Sequence, residues 1–269
     1  MERSVSLSWG RELADPSACR PPKPRRRGLT MVLDKGMGLA QFADWLQTVG
    51  DHVDIVKLGF GTAALYPPDV LRSKIRLAAE RGVQVTPGGT FFEVAFARQQ
   101  VAAYLDHVAR LGFTAVEISD GTVSLPRAER TRWIREALAR GLVVYTEYGK
   151  KSGAPLSPTA LVETAQADLE AGACAVLVEG RESGRGVGLY DPSGRLREDL
   201  LDDVLTHLAD LNPAHLIWEA PKKDQQAAFL RTLGPHVNLG NVAPHDAMAL
   251  EAMRRGLRGD TLSLYLEPR

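Results

Sequence analysis

Glutamates and lysines recur in this chain at one kind of place, directly after short apolar runs. Glu147-Tyr-Gly-Lys-Lys151, Glu179-Gly-Arg-Glu182 and Glu219-Ala-Pro-Lys-Lys223 each follow such a run, as does Lys57-Leu-Gly-Phe-Gly-Thr62. A lone carboxylate after a strand is commonly solvated or pairs with a helix N-terminus. Repetition at run after run needs another explanation, because buried carboxylates require cationic partners or a metal. The candidate partners are Lys57, Lys150, Lys151 and Arg181. Carboxylates set among amides and hydroxyls suit a hard ion, Mg²⁺ above all, held jointly with substrate oxygens. The six histidines are scattered, with no HExxH or H-x-H spacing, which points away from zinc.

Other chemistry is narrowed by absence. There is no G-x-S-x-G, no candidate Cys–His pair and no P-loop. A desolvated strand-end lysine leaves a Schiff-base aldolase open. Gly88-Gly89-Thr90 and Gly240-Asn241 carry little or no side chain over their backbone N–H groups, so they are candidate cradles for phosphate or another oxyanion. Gly184-Arg-Gly-Val-Gly188 is not a dinucleotide fingerprint; it reads as a surface loop or as a lid carrying Arg181 or Arg185.

Eight apolar runs precede these residues: 29–33, 53–58, 83–86, 115–119, 142–146, 174–178, 215–218 and 237–239. They are short, rich in Val, Ile and Leu, and mostly not alternating, as strands buried on both faces are. Amphipathic stretches with clear end signals lie between them. Pro67-Pro68 opens one and Gly82 follows it; Ser157-Pro158 opens another and Gly172 follows it. Eight strand–helix units in about 240 residues predict a single-domain (β/α)₈ TIM barrel, an α/β fold with its active site at the carboxyl ends of the strands. The competing doubly wound sheet needs a glycine fingerprint after strand one, and Asp34-Lys-Gly-Met-Gly38 is not one. The barrel is expected over 29–269. Residues 1–28, with four prolines and the basic cluster Lys23-Pro-Arg-Arg-Arg27, read as an irregular, solvated arm.

Lys plus Arg and Asp plus Glu both number 33, so net charge gives no reason to expect nucleic acid or an anionic membrane as partner. No apolar run approaches a membrane span, and residues 1–28 lack the apolar centre of a signal peptide. Of two cysteines, Cys174 is expected as a packed thiol and Cys19 in the arm, which fits a reducing cytoplasm.

At its strand ends the sequence resembles the phosphosulfolactate synthase family. The stretches are KPRRRGLTMVLDKG, VDIVKLGFGTAALYP, PGGTFFE, VEISDGT, TEYGKK, VEGRESGRGVG, WEAPKKDQQ, and VNLGNV followed by LRRGLRGDT, together covering Lys23 to about Thr261. Tyr148 departs from the smaller apolar residue expected there. The resemblance implies Mg²⁺-assisted addition of sulfite to phosphoenolpyruvate, giving 2-phospho-3-sulfolactate, which in methanogens begins coenzyme M synthesis. It also implies a lysine general acid in the strand-five motif, Lys150 or Lys151. Barrel position proposes Glu147, Glu179 and Glu219 as metal ligands and Lys35, Lys57 and Arg181 as anion binders. Both substrates are multiply anionic, so the site is expected to be locally cationic. The alternatives are another barrel lyase or aldolase acting on a small phosphorylated acid, and a non-catalytic, stress-associated family member. Association into a homo-oligomer is expected, as barrels of this type often associate.

Overall fold

A computed structural model describes residues 9–150, 155–208 and 211–266. Its strands are β1 (Thr30–Asp34), β2 (Ile55–Leu58), β3 (Gln84–Thr86), β4 (Ala115–Ile118), β5 (Val143–Tyr148), β6 (Ala175–Val178), β7 (Leu216–Glu219) and β8 (Asn238–Val242). Each falls within two residues of an apolar run read from the sequence, apart from the three-residue extension of β8. The helices are α1 (Arg11–Ala14), α2 (Leu39–Val49), α3 (Pro68–Glu80), α4 (Gly89–Ala97), α5 (Val101–Leu111), α6 (Arg127–Leu138), α7 (Pro158–Glu170), α8 (Glu198–His207), α9 (Lys223–Leu233), α10 (Ala247–Arg254) and α11 (Gly259–Leu266). The expected caps are in place: Pro68 opens α3, and the Ser157 side chain accepts a hydrogen bond from Ala160 N–H at the start of α7.

All strand pairs are parallel, in the order β3-β2-β1-β8-β7-β6-β5-β4. The pairing of β1 with β8 closes the sheet and excludes the doubly wound alternative. Side chains bridge the remaining seam, beside β3. Val85 N–H of β3 donates to Oγ1 of Thr114, the residue before β4, at 3.0 Å, and Tyr145 Oη reaches across from β5 to donate to Gln84 Oε1 of β3 at 2.6 Å. The result is a nearly closed, single-domain (β/α)₈ barrel.

Strand geometry explains where the site falls. Side chains alternate between barrel interior and helix layer. Met31, Ile55, Ala115, Tyr145, Ala175, Leu177 and Ile217 form the inner core. Val56, Val116, Val144, Val176 and Trp218 face the helices. One alternation further along, the inward positions are Lys57, Glu117, Glu147, Glu179 and Glu219. The same pleat that packs the core therefore stacks these charges as its top layer.

The basic segment before β1 is not a free arm. Arg20 Nε contacts both carboxylate oxygens of Glu251 at 3.1 and 2.9 Å, and its Nη1 donates to Gly28 O at 2.7 Å. Arg25 pairs with Asp54 at 3.0 Å, and Lys23 Nζ donates to Gly50 O at 2.7 Å. These contacts stitch the segment across the amino-terminal end of the barrel, because that end presents carboxylates and free carbonyls to its cations. Burial pushes the Glu251 carboxyl up, but Arg20, His52 and Arg255 outweigh it and hold it at about 2. Replacing Arg20 by Met takes from buried Glu251 the partner that contacts both its oxygens and leaves Arg255, at 2.7 Å, to hold it. The replacement should lower stability by about 3 kcal/mol in denaturant titration, with turnover of the folded fraction unchanged. Cys174 differs from expectation too: it precedes β6 and is exposed, not packed.

Candidate active site

Lys57 is the centre of the top layer. Its ammonium lies 2.9 Å from Glu219 Oε1, 3.2 Å from Glu117 Oε2 and 3.9 Å from Glu147 Oε2. Lys57 and the four glutamates are all buried. Burial alone would depress the lysine, but Glu117, Glu219 and Glu147 hold it well above its ordinary value. Glu219 divides from the other carboxylates. Burial pushes it up, yet Lys57 and the Gly180 N–H, which donates to its Oε2 at 2.9 Å, keep it below the usual range. Glu147 is driven far up by burial and by Glu179, Glu117 and Glu219. Burial and Glu219 raise Glu179 to about 7. The cluster thus divides: Lys57 is held protonated and Glu219 ionised, while Glu147 and Glu179 keep their protons well above the ordinary carboxylate range.

These residues floor a cavity of about 510 Å³ at the carboxyl ends of the strands. Gly88, Gly89, Thr90, Arg181 and Asn241 also line it, so most of the residues nominated from the sequence come together here. Asn241 arrives by a bulge. Thr30 pairs with Leu239 but Val32 with Val242, which gives β8 an extra residue, and Asn241 sits there at φ +54°. Gly240 stays in the ladder opposite Glu219 and does not line the cavity. Arg181, at φ +57°, donates its N–H to Glu179 Oε1 at 2.6 Å.

Three expectations change. The glycine pair is not an open anion cradle: Gly89 N–H already donates to Glu117 Oε1 at 2.8 Å, and Gly88 N–H contacts Thr86 Oγ1 at 3.4 Å. A Cβ on Gly89 would lie 2.4 Å from Ser119 Oγ and 2.6 Å from Glu117 Oε1, so glycine is needed there for close approach. The lysines at either side are not in the cavity. Lys35 pairs with Glu182 at the exposed rim. Lys150 donates to Asp120 O at 2.6 Å, to Asp120 Oδ2 and to Val123 O at 3.3 Å, in a second cavity of about 330 Å³ that shares Glu179 as a wall. Lys151 lies outside the described residues. Finally, the floor is acidic, not cationic: Glu117, Glu147, Glu179, Glu182 and Glu219 face only Lys57 and Arg181 among the lining residues.

The loop after β6 is built, not slack. Tyr190 Oη donates to Glu219 O at 2.5 Å, and Gln225 Nε2 donates to Gly184 O and Gly194 O at 2.8 and 2.9 Å. Gly188 stands at φ +56°, where a Cβ would meet Glu179 O at 2.2 Å. Gly188 therefore serves close packing behind Glu179, and Gly184 close packing against Gln225 and Pro221, while a Cβ on Gly186 would meet nothing.

Sequence reading did not nominate Glu117, Glu93, Ser119 or Thr122. Glu117 follows Ala115 by one alternation, the same inward phase as Lys57 after Ile55, and that signal was available. Glu93 interrupts the apolar Phe91-Phe92-Glu93-Val94 stretch of α4, a weaker one.

A nearly closed parallel barrel with a lysine–carboxylate cluster buried at its carboxyl-terminal mouth defines a barrel enzyme. The chain belongs to the (2R)-phospho-3-sulfolactate synthase family, lyase-type enzymes, and matches the family pattern over residues 18–260. It is 45% identical over 247 residues to the phosphosulfolactate synthase of Methanothermobacter thermautotrophicus, covering 90% of this chain and 94% of that one. It is 36% identical over 248 residues to the phosphosulfolactate synthase of Bacillus subtilis, covering 91% and 96%. Among solved structures, 3-hexulose-6-phosphate synthase from Salmonella typhimurium superposes with a TM-score of 0.51 at 18% identity, covering 88% of this chain and 98% of that one. That likeness concerns the fold alone. Among the described residues no helix is long and apolar enough to cross a membrane.

Proposed function

We propose that this chain is a phosphosulfolactate synthase, adding sulfite to the methylene carbon of phosphoenolpyruvate to give 2-phospho-3-sulfolactate. Family membership supports the reaction, and one observation of the site carries its cofactor: an acidic cavity floor in an enzyme for anionic substrates. Glu147 Oε1, Glu179 Oε2 and Asn241 Oδ1 are buried acceptors without a hydrogen-bond partner. Such a set fits a hard divalent cation. Among the described residues no three acidic, imidazole or thiol side chains converge tightly enough to enclose a metal alone. Glu147 and Glu179, with Glu219 beside them, would therefore hold Mg²⁺ jointly with substrate oxygens. When bound there, the ion would supply positive charge to offset the negative charge that grows on the substrate carboxylate.

The chain's own groups supply the rest. Lys57, kept protonated and fixed by Glu219 and Glu117, offers a stationary positive charge at the cavity floor. Arg181 stands at the rim, where an incoming anion passes. The proton for C2 comes from the strand-five lysines in this reading. Lys150 can deliver it only after leaving Asp120, so Asp120 is its resting seat. The buried ammonium of Lys57 is a poor nucleophile, which weighs against a Schiff-base aldolase. The free thiols of Cys19 and Cys174 suit a reducing, cytoplasmic setting.

Purified protein with Mg²⁺ should consume phosphoenolpyruvate only when sulfite is present, and EDTA should stop it. Absence of turnover with both substrates at millimolar levels, across a range of pH, overturns the reading.

A further inference from the structure

Outside the Lys57 cluster, one buried carboxylate gathers an entire loop. Glu93 lies in the second turn of α4 and is 2% exposed. Its Oε1 accepts from Ser119 Oγ at 2.5 Å and from Gly121 N–H at 3.0 Å. Its Oε2 accepts from Thr122 N–H at 3.0 Å and from the Thr122 hydroxyl. Two backbone amides and two hydroxyls of residues 119–122 thus converge on one side chain. That loop has two further duties. Thr122 lines the main cavity, and Asp120 accepts from both Lys150 and Arg130, the latter at 3.2 Å.

We propose that Glu93 is a positioning residue for the synthase reaction: it fixes the 119–122 loop, and through it both the cavity wall at Thr122 and the Asp120 seat of Lys150. This rests on the synthase reading above. The chemistry asks for an ionised carboxylate. Only an acceptor without donors, having about four lone-pair sites, can take donors on both oxygens at once. Glutamine would turn an NH₂ toward either the Ser119–Gly121 pair or the Thr122 pair, setting donor against donor. Aspartate, one methylene shorter, falls short of the loop. The geometry also makes the placement stiff, since Ser119 Oγ and Glu117 Oε1 crowd Gly89 at the first residue of the same helix.

The test compares wild type with Glu93→Gln, Thr122→Val and the double variant. Sites are counted by phosphoenolpyruvate calorimetry, so that misfolded protein is not scored as slow enzyme. Turnover per binding site should fall at least about tenfold in Glu93→Gln, since small misplacements of site groups are amplified in rate. The double variant should be no slower than Glu93→Gln alone, because both changes act through one loop. Turnover per site within about twofold of wild type, or losses that simply multiply, would overturn the proposal.

Amide exchange gives a readout independent of catalysis. The Gly121 and Thr122 amides should exchange at least about tenfold faster in Glu93→Gln, with strand amides unchanged. If wild type shows no sulfite-dependent turnover, the synthase reading fails. Exchange then decides the Glu93 contact separately: unchanged protection sinks it. Should Glu93→Gln not fold, Ser119→Ala removes a single donor. Faster exchange at Gly121 with a smaller loss of turnover is expected, and no change in either counts against the proposal.

Discussion

Replacing Lys57 by Met abolishes measurable synthase turnover, a loss of at least about a hundredfold of the kind seen when one fixed electrostatic group is removed from a site. The same change destabilises the folded protein by about 3–5 kcal/mol at pH 8, because it strands buried carboxylates. Glu219 loses the partner at 2.9 Å that keeps it ionised, and Glu117 loses the one at 3.2 Å. The pH dependence distinguishes this cause from a packing defect. Glu219 has a depressed folded pKa, so in wild type its contribution is present above the ordinary carboxylate range and lost as pH falls. Without Lys57 that contribution vanishes and the carboxylates repel until protonated. The deficit relative to wild type therefore shrinks between pH 8 and pH 5. Adding Glu219→Gln to Lys57→Met should recover part of it. A deficit independent of pH means that the lysine stem, not its charge, is what the cavity needs.

The prominence of Lys57 shows what the chain's pattern carries and what it omits. Apolar runs bounded by glycine and proline locate the strands, because strand burial and helix capping are local matters. Period-two alternation then forces Lys57, Glu117, Glu147, Glu179 and Glu219 inward together, so the floor was legible as a set. Its balance of charge was not. Expecting anionic substrates, one counts on lysines, but Lys35 and Lys150 reach outward to Glu182 and Asp120 instead. Which of two neighbours a flexible lysine chooses depends on a loop's path, and no strand periodicity encodes that. Gly88-Gly89 misled for a related reason: glycine permits approach, and what approaches Gly89 is a protein carboxylate. The basic segment before β1 looked solvated because its partners, Glu251, Asp54 and the Gly50 carbonyl, are distant in sequence. Asn241 was found by position, but the bulge that turns it inward requires knowing that β8 pairs with β1.

Magnesium should bind more tightly as pH rises through 7, and the slope should shrink in Glu179→Gln to what Glu147 contributes. Burial and Glu219 raise the Glu179 carboxyl to about 7, and burial with Glu179, Glu117 and Glu219 raises Glu147 as well. A cation must displace those protons, so apparent affinity should climb by up to about tenfold per pH unit for each proton displaced, and the share owed to Glu179 should flatten above about 7 as it ionises. Calorimetry in buffers of different ionisation enthalpy should register proton release on binding. Stability follows the opposite course without metal. A carboxylate whose folded pKa is raised stabilises the protein fully below its unfolded value near 4.5, and that contribution is lost as pH rises through about 7. The metal-free protein should therefore weaken over this interval. Mg²⁺ should restore more at pH 8 than at pH 6, because there it replaces missing protons among the glutamates. An affinity flat from pH 6 to 8 would remove Glu179 and Glu147 from the metal site.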